Sequence, residues 1–429
     1  MNCLKETSMY QQSKKGKKTV WHQALLLSLA LGATASVNAA DPGISDKEVV
    51  WGSTLPLSGP NAGYGTIGKA QRACFDYLNA EFGGVKFGDG KTRKVKFVMY
   101  DDSMEPARHL QNSRRMVSKD EVFGMSGSPG TGANLASRPY YNSENVPQVF
   151  LYTGGPMFGA KPDVEKFPMT MLGILAYNTE AALYAKYIKD NFPNAKVALL
   201  NDDSGGPFFS KAFVQAAKDL GVNIVIHEEH SYSEPTIDAK IDRLAASGAD
   251  VFVDATTPKY VIQAIKRMNA VNWKPKHVVW GVGASIGGTL IPAGPDISKG
   301  VITSLWLKDQ ANPGFANDAD MKLYVEKLKK YDSSLNPADQ FNAVGWFFCH
   351  AVKNGFENAK QPTRKAFMEA MRNMNQVKVP LLLDGVTLTT KGAQDGYPIE
   401  SVQMGQFDGE KFVPIGSVIN YEGKTPQPQ

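Results

Sequence analysis

From Val49 onward the chain alternates short apolar runs with segments whose apolar positions recur every three to four residues, the signature of strands exchanging with helices. VVWGSTL (49–55) reads as a strand, and IGKAQRACFDYLNAEF (67–82) as a helix closed by Gly83-Gly84. KVKFVMY (94–100) is a strand and 105–118 a helix. VFGMSG (122–127) is a short strand, 133–142 a helix and PQVFLY (147–152) a strand. Such a βαβαβ series implies a parallel sheet with right-handed crossovers.

A second series begins near Thr179. Helices are expected at 180–192, 207–221, 237–248 and 259–269, and strands at 195–201, 222–232, 249–255 and 276–283, with Gly221 and Gly248 as helix stops. After Gly300 come the strand VITSLWL, three helical segments and a hairpin over 398–418. The fold class is therefore α/β, two similar halves with parallel-rich sheets. No Pro/Ser-rich linker separates them, which suits lobes joined by several crossovers.

The N-terminus departs from this pattern. KKGKK (14–18) precedes the apolar run 24–31, and small residues follow to Val37-Asn38-Ala39. That order of basic, apolar and small-residue regions is a secretory signal peptide, expected to span 1–39 and to be cleaved near Ala39. The run is shorter than the roughly 18–20 residues of a membrane span. The segment also holds five Lys against Glu6, so most of the formal net charge of +5 leaves with it. The near-neutral body argues against nucleic acid as a partner, and the mature protein is expected to be periplasmic. Of three Cys, Cys3 lies in the signal; Cys74 and Cys349 are open to pairing or to service as buried thiols.

Several motifs carry less chemistry than their spelling suggests. Gly63-Tyr64-Gly65-Thr66-Ile67-Gly68 fits the dinucleotide fingerprint, but lies too far beyond Leu55 for the tight turn that fingerprint needs. Gly127 to Gly132 opens like a phosphate-binding loop, yet Ala133 and Asn134 stand where Lys and Ser/Thr belong. It keeps the capacity to offer backbone N–H groups to a small anion. His227 and His230 lie on a strand and point to opposite faces, so no metal is expected. Asp101-Asp102 reads as turn or cap chemistry, and no nucleophile–base set is evident. Tyr64, Tyr152 and Phe208 follow strand ends, where open α/β sheets bind ligands.

Taken in order, TLPLSGPNAGYGTIGKAQRACFDYLNAEFGGV, YDDSMEPARHLQNSRRMVSKDEVFGMSGSPGTGANLA, ENVPQVFLYTGGP, NDDSGGPFFSKAF, SGADVFVDATTPKYVIQAIKRMN and TRKAFMEAMRNM resemble the periplasmic solute-binding proteins of ABC importers, of the leucine/isoleucine/valine-binding type. The resemblance runs from Val49 to Ile419. It implies the type I periplasmic binding protein fold: two Rossmann-like lobes joined by three crossovers near Thr170, Thr303 and Gly385. Lobe one would comprise 41–170 and 304–384, and lobe two 171–303 and 385–429. It further implies a non-enzymatic monomer, without cofactor or metal, that closes over a small molecule and presents it to a membrane permease. An exported α/β enzyme and a sensory binding protein are the rival classes.

Carried over by motif, the ligand-facing residues of lobe one are Tyr64, Ser128, Gly130, Thr131, Tyr152, Thr153 and Gly154. Those of lobe two are Phe208, Thr257, Gly283 and Ala284. Amino-acid-binding relatives place an acid on the loop equivalent to 281–285 to accept the ligand ammonium. Here that loop has none, and Thr257 replaces an aromatic hydroxyl. A buried ammonium without an acceptor is costly, so the expectation is a small amine-free carboxylate such as an aromatic acid. An amino acid is the alternative, and it would need an acid elsewhere, such as Asp202 or Asp203.

Overall fold

The structure, a computed structural model, describes residues 41–59 and 61–428; the segment read as an export signal, with Cys3, lies outside them. The first sheet contains β1 (Glu48–Leu55), β2 (Val85–Lys86), β3 (Thr92–Asp101), β4 (Gly124–Ser126), β5 (Gln148–Leu151) and β6 (Thr170–Leu172), in the order β2-β3-β1-β4-β5-β6. Only β2 runs antiparallel. The second contains β7 (Lys196–Asp202), β8 (Asn223–His230), β9 (Val251–Ala255), β10 (Lys276–Val279), β11 (Ile302–Leu305), β12 (Ser401–Phe407) and β13 (Phe412–Asn420). Its order is β13-β12-β11-β10-β9-β7-β8, parallel from β11 to β8, with β12 antiparallel to both β11 and β13.

Position in the sheet explains the sequence pattern. Central β1, between β3 and β4, buries Val49, Trp51 and Leu55 completely, because helices cover both faces of a parallel sheet. Edge strand β8 alternates exposed and half-buried positions until His230. His227 is exposed and His230 buried, so the two histidines do separate. In the expected strand 276–283, pairing stops at Val279, and a turn closed by the Gly283 N–H to the Trp280 carbonyl (3.0 Å) takes over.

The helices are α1 (Thr66–Phe82), α2 (Pro106–Ser118), α3 (Thr131–Ser143), α4 (Lys161–Lys166), α5 (Tyr177–Asn191), α6 (Gly206–Leu220), α7 (Asp238–Ala246), α8 (Pro258–Ala270), α9 (Ile291–Ala293), α10 (Ala319–Tyr331), α11 (Gln340–Asn358) and α12 (Arg364–Met371). No helix among the described residues is long and apolar enough to cross a membrane.

Helices α10 to α12 follow β11 in sequence but pack on the first sheet. Trp51 of β1 meets Phe356 of α11 and Phe367 of α12 at ring distances of 5.2 and 5.3 Å. Helix α11 lies so close to α1 that a Cβ on Gly345 would fall 2.2 Å from the Ile67 carbonyl oxygen. Next to this contact Cys74 and Cys349 form a disulfide, with Cα atoms 6.3 Å apart, which resolves the alternative left open by their sequence.

Candidate functional site

A narrow cavity of about 30 Å³ lies where the carboxyl ends of both sheets meet. Tyr64 and Met104 follow β1 and β3; Pro129, Gly130 and Thr131 follow β4; Tyr152 follows β5. From the second sheet come Asp202 at the end of β7, Ser204 and Gly205 after it, Tyr232 after β8, Thr257 after β9, and Trp280 and Val282 after β10. Tyr177 opens α5. Ligand crevices of open α/β sheets form at this place, because strand order reverses there and the helices begin.

Four helices start at the cavity wall. Gly130, Gly205 and Thr257 are the N-caps of α3, α6 and α8, and Tyr177 is the first residue of α5. First-turn N–H groups lack partners within their own helix and carry partial positive charge, so these ends favour an anion. Gly130 is required at its place: its φ of 90° is strained for any side chain, and it turns the chain from β4 into α3.

The walls are aromatic. Tyr64 and Tyr152 approach at 5.8 Å, and Tyr177 lies against Trp280 at 5.0 Å. Burial holds the phenols of Tyr64, Tyr152, Tyr177 and Tyr232 neutral by pushing their pKa values upward. Tyr232 interacts with Thr257 and with Tyr64, so residues following β8, β9 and β1 meet over the cavity.

Of the carried-over residues, Tyr64, Gly130, Thr131, Tyr152 and Thr257 line the cavity; Ser128, Thr153, Gly154, Phe208, Gly283 and Ala284 do not. Ser128 spends its hydroxyl on the Thr54 carbonyl (2.7 Å). Thr153 lies behind Thr131, with their hydroxyl oxygens 2.7 Å apart. Gly154 and Gly283 act as floors: a Cβ would meet Tyr177 Cδ1 at 2.5 Å in the first case and Trp280 Cδ1 at 3.1 Å in the second. Ala284 faces a separate cavity beside Thr303 and Lys308. Phe208 sits in the first turn of α6 and lines another cavity with Ala182 and Ala212.

The charge pattern differs from the one the loop 281–285 suggested. Glu180, far away in sequence, reaches under this loop: its Oε1 accepts from the Gly281 N–H (2.7 Å) and the Ser304 hydroxyl (2.5 Å). The acid that does face the cavity is Asp202. Burial pushes its carboxyl up to about 7. No Lys, Arg or His is among the described residues lining the cavity.

Other chemistry-bearing groups have structural roles. Asp101 accepts the Leu57 N–H at 2.8 Å and Asp102 the Met104 N–H at 2.7 Å, as turn-forming carboxylates. Ser128, His109 and Asp102 lie together, but Ser128 (3.5 Å) and Asp102 (2.8 Å) both address His109 Nδ1, whereas a proton relay needs one on each ring nitrogen. Asp395, Glu400 and Glu422 bring carboxylate oxygens within 4.8 Å of one another outside the cavity.

Comparison with known proteins places this architecture. The family model for periplasmic binding proteins matches residues 48–411. The chain belongs to the periplasmic binding protein family. It is similar to "Leu/Ile/Val-binding protein homolog 7" of Brucella melitensis, 23% identical over 314 residues covering 70% of this chain and 75% of the relative. Its fold is shared with a branched-chain amino acid ABC transporter protein from Thermus thermophilus with bound valine (TM-score 0.76, 18% identity, 89% and 98% of the two chains). It is shared equally with an R. palustris ABC transporter solute-binding protein in complex with 4-hydroxybenzoate (TM-score 0.71, 17% identity, 89% and 98%). At such identities the likeness shows a type I periplasmic binding fold.

Within this periplasmic binding protein, sequence reading missed Tyr177, Tyr232 and Trp280 as wall residues and named Asp202 only as the acid an amino-acid ligand would need. Each lies at or just beyond a strand end, or opens a helix, in a segment without a distinctive motif. The usable signal was positional: Asp202 ends β7 directly before Ser204-Gly205-Gly206 and α6.

Proposed function

We propose that this protein is the extracytoplasmic solute-binding component of an ABC importer, without catalytic activity, and that its cavity captures a small carboxylate. The observation that carries this reading is the convergence of helix N-termini on a cavity walled by Tyr64, Tyr152, Tyr177 and Trp280. The N-terminus of α3, with the Thr131 hydroxyl beside it, is the carboxylate grip; charge-assisted hydrogen bonds there contribute about 1.5–3 kcal/mol each. The aromatic walls suit an apolar or aromatic body, each stacked pair adding about 0.5–1.5 kcal/mol beyond burial.

The two lobes are centred on 41–170 with 304–384 and on 171–303 with 385–429, with β6 (Thr170–Leu172) kept whole in the first and β11 (Ile302–Leu305) whole in the second. Residues 388–399 pack back on the first, where the Tyr397 hydroxyl donates to the Pro156 carbonyl (2.9 Å). Most of the wall residues are buried, so a ligand enters when the loops of the two sheets part. Closure over the ligand then presents one conformation of a periplasmic monomer to a permease, provided the ligand binds that state more tightly. An amine-free aromatic acid fits the acid-free loop 281–285. An amino acid is the second reading, favoured by Asp202 at the wall.

Calorimetry with a panel of aromatic acids, aliphatic acids and amino acids tests this. At least one carboxylate is expected to bind and be recovered unchanged. Turnover of the ligand, or binding by sugars or amides with no carboxylate bound, would overturn it.

A further inference from the structure

Asp202 ends β7, and its carboxyl is fully buried at the cavity wall. Its two oxygens have unequal surroundings. Oδ1 accepts the N–H groups of Ser204 (2.9 Å) and Gly206 (3.3 Å), fixing the turn into α6. Oδ2 is buried and has no hydrogen-bond partner among the described residues. Native proteins seldom leave a buried polar atom so, because its lost hydration goes uncompensated.

The Gly205 N–H also bears on the carboxyl, but Oδ2 is left without a donor in hydrogen-bond geometry among the described residues. The titratable groups bearing on Asp202 are Asp203, Tyr64, Tyr177 and Tyr232. Tyr177 interacts with Thr153, and Tyr232 with Thr257 and Tyr64. On the adjacent strand His230, the ladder partner of Asp202, directs Nδ1 to the Ser231 carbonyl (3.0 Å). Asp203 accepts the Tyr232 N–H (2.8 Å), which carries the loop after β8 toward the cavity.

We propose that Asp202 is a specificity-determining residue: through Oδ2 it reads a hydrogen-bond donor on the ligand, so the ligand is a carboxylate that also bears an amine or hydroxyl. The inference rests on the carboxylate reading of the cavity and adds a second recognition point. The two points come from different sheets, Thr131 after β4 and Asp202 at the end of β7, so a ligand satisfying both bridges them.

Matched pairs test it by calorimetry: L-leucine against 4-methylpentanoate, and 4-hydroxybenzoate against benzoate. In whichever pair binds, the donor-bearing member is expected to bind at least tenfold more tightly to the wild-type protein. Asp202→Asn keeps an Oδ1 acceptor for Ser204 and Gly206 while replacing Oδ2 with an N–H donor, so the preference should vanish or invert. Equal affinities within a bound pair in wild type, a comparison that needs no variant, would overturn the role of Asp202 and leave the carboxylate reading standing. An undiminished preference in a folded Asp202→Asn protein would do the same. If no carboxylate binds in this experiment or in the wider panel, the functional reading itself fails, and this inference with it.

Discussion

The hydroxyl oxygens of Thr131 and Thr153 lie 2.7 Å apart, coupling the start of α3 to the segment after β5 behind the cavity wall. Thr153 also accepts the Gly155 N–H at 3.1 Å. Thr153→Val keeps the shape but leaves a buried N–H and a buried hydroxyl without this partner, at a cost of about 1–3 kcal/mol. Ligand affinity should fall roughly three- to tenfold as Thr131 loses its anchor, about 0.6 to 1.4 kcal/mol. Ser118→Ala, at the exposed end of α2, should leave affinity unchanged in the same titration.

Proton exchange on binding should report the ligand class. With the Asp202 carboxyl pushed up to about 7 and no basic side chain among the lining residues, an amine-free anion forces it to stay protonated. Such a ligand should therefore take up protons near pH 7 and bind more weakly as pH rises above that value. An ammonium has the opposite sign: protons are released, and affinity falls as pH drops below about 7. Calorimetry in buffers of different ionisation enthalpy measures the sign directly, and Asp202→Asn should abolish the exchange.

How far the sequence reached depends on the range of the forces involved. Strands such as β1 and helices such as α1 and α6 were readable because burial of Val49, Trp51 and Leu55, and left-handed stops at Gly83 and Gly221, leave a local pattern. Tyr64, Gly130, Thr131, Tyr152 and Thr257 could be placed because they lie in loops after strands or at helix starts. Phe208 misled: its place just beyond a strand end resembles theirs, but the turn of α6 carries its ring to a neighbouring cavity. Glu180 beneath loop 281–285 was invisible, since the contact spans 101 residues and no periodicity encodes it.

The disulfide should matter for stability and little for binding. Cys74 and Cys349 are fully buried and join α1 to α11, away from the cavity. Replacing both with Ala is expected to lower unfolding free energy by about 2–4 kcal/mol. Denaturant titration checks this, while ligand affinity measured under native conditions should stay within about twofold, the equivalent of some 0.4 kcal/mol.

The acidic group near the C-terminus predicts a pH profile. Glu400 accepts the Gly423 N–H (2.9 Å) and the Thr425 hydroxyl. Burial pushes the carboxyls of Glu400 and Glu422 from their ordinary 4.5 up to about 7, with Glu400 adding its charge to the effect on Glu422. Folded-state values above the unfolded ones mean that the folded protein holds protons the unfolded chain has released. Stability should therefore fall as pH rises from about 4.5 to 7 and level off above. Glu422→Gln should raise the melting temperature at pH 8 and flatten the profile.

The return of α11 and α12 to the first sheet sets an order of assembly. Trp51 is among the earliest core residues to leave the ribosome or emerge from a translocation channel, yet its partners Phe356 and Phe367 come some three hundred positions later. The sheet built first must wait with an open apolar face, while the second sheet can pair β7 to β11 in one uninterrupted stretch. The half of the molecule encoded first is thus closed only after β7 to β11 of the other half have been made, and a chain stopped before α11 would expose that face to any apolar surface nearby. Sealing it by pairing Cys74 with Cys349 can occur only after nearly the whole polypeptide has been delivered.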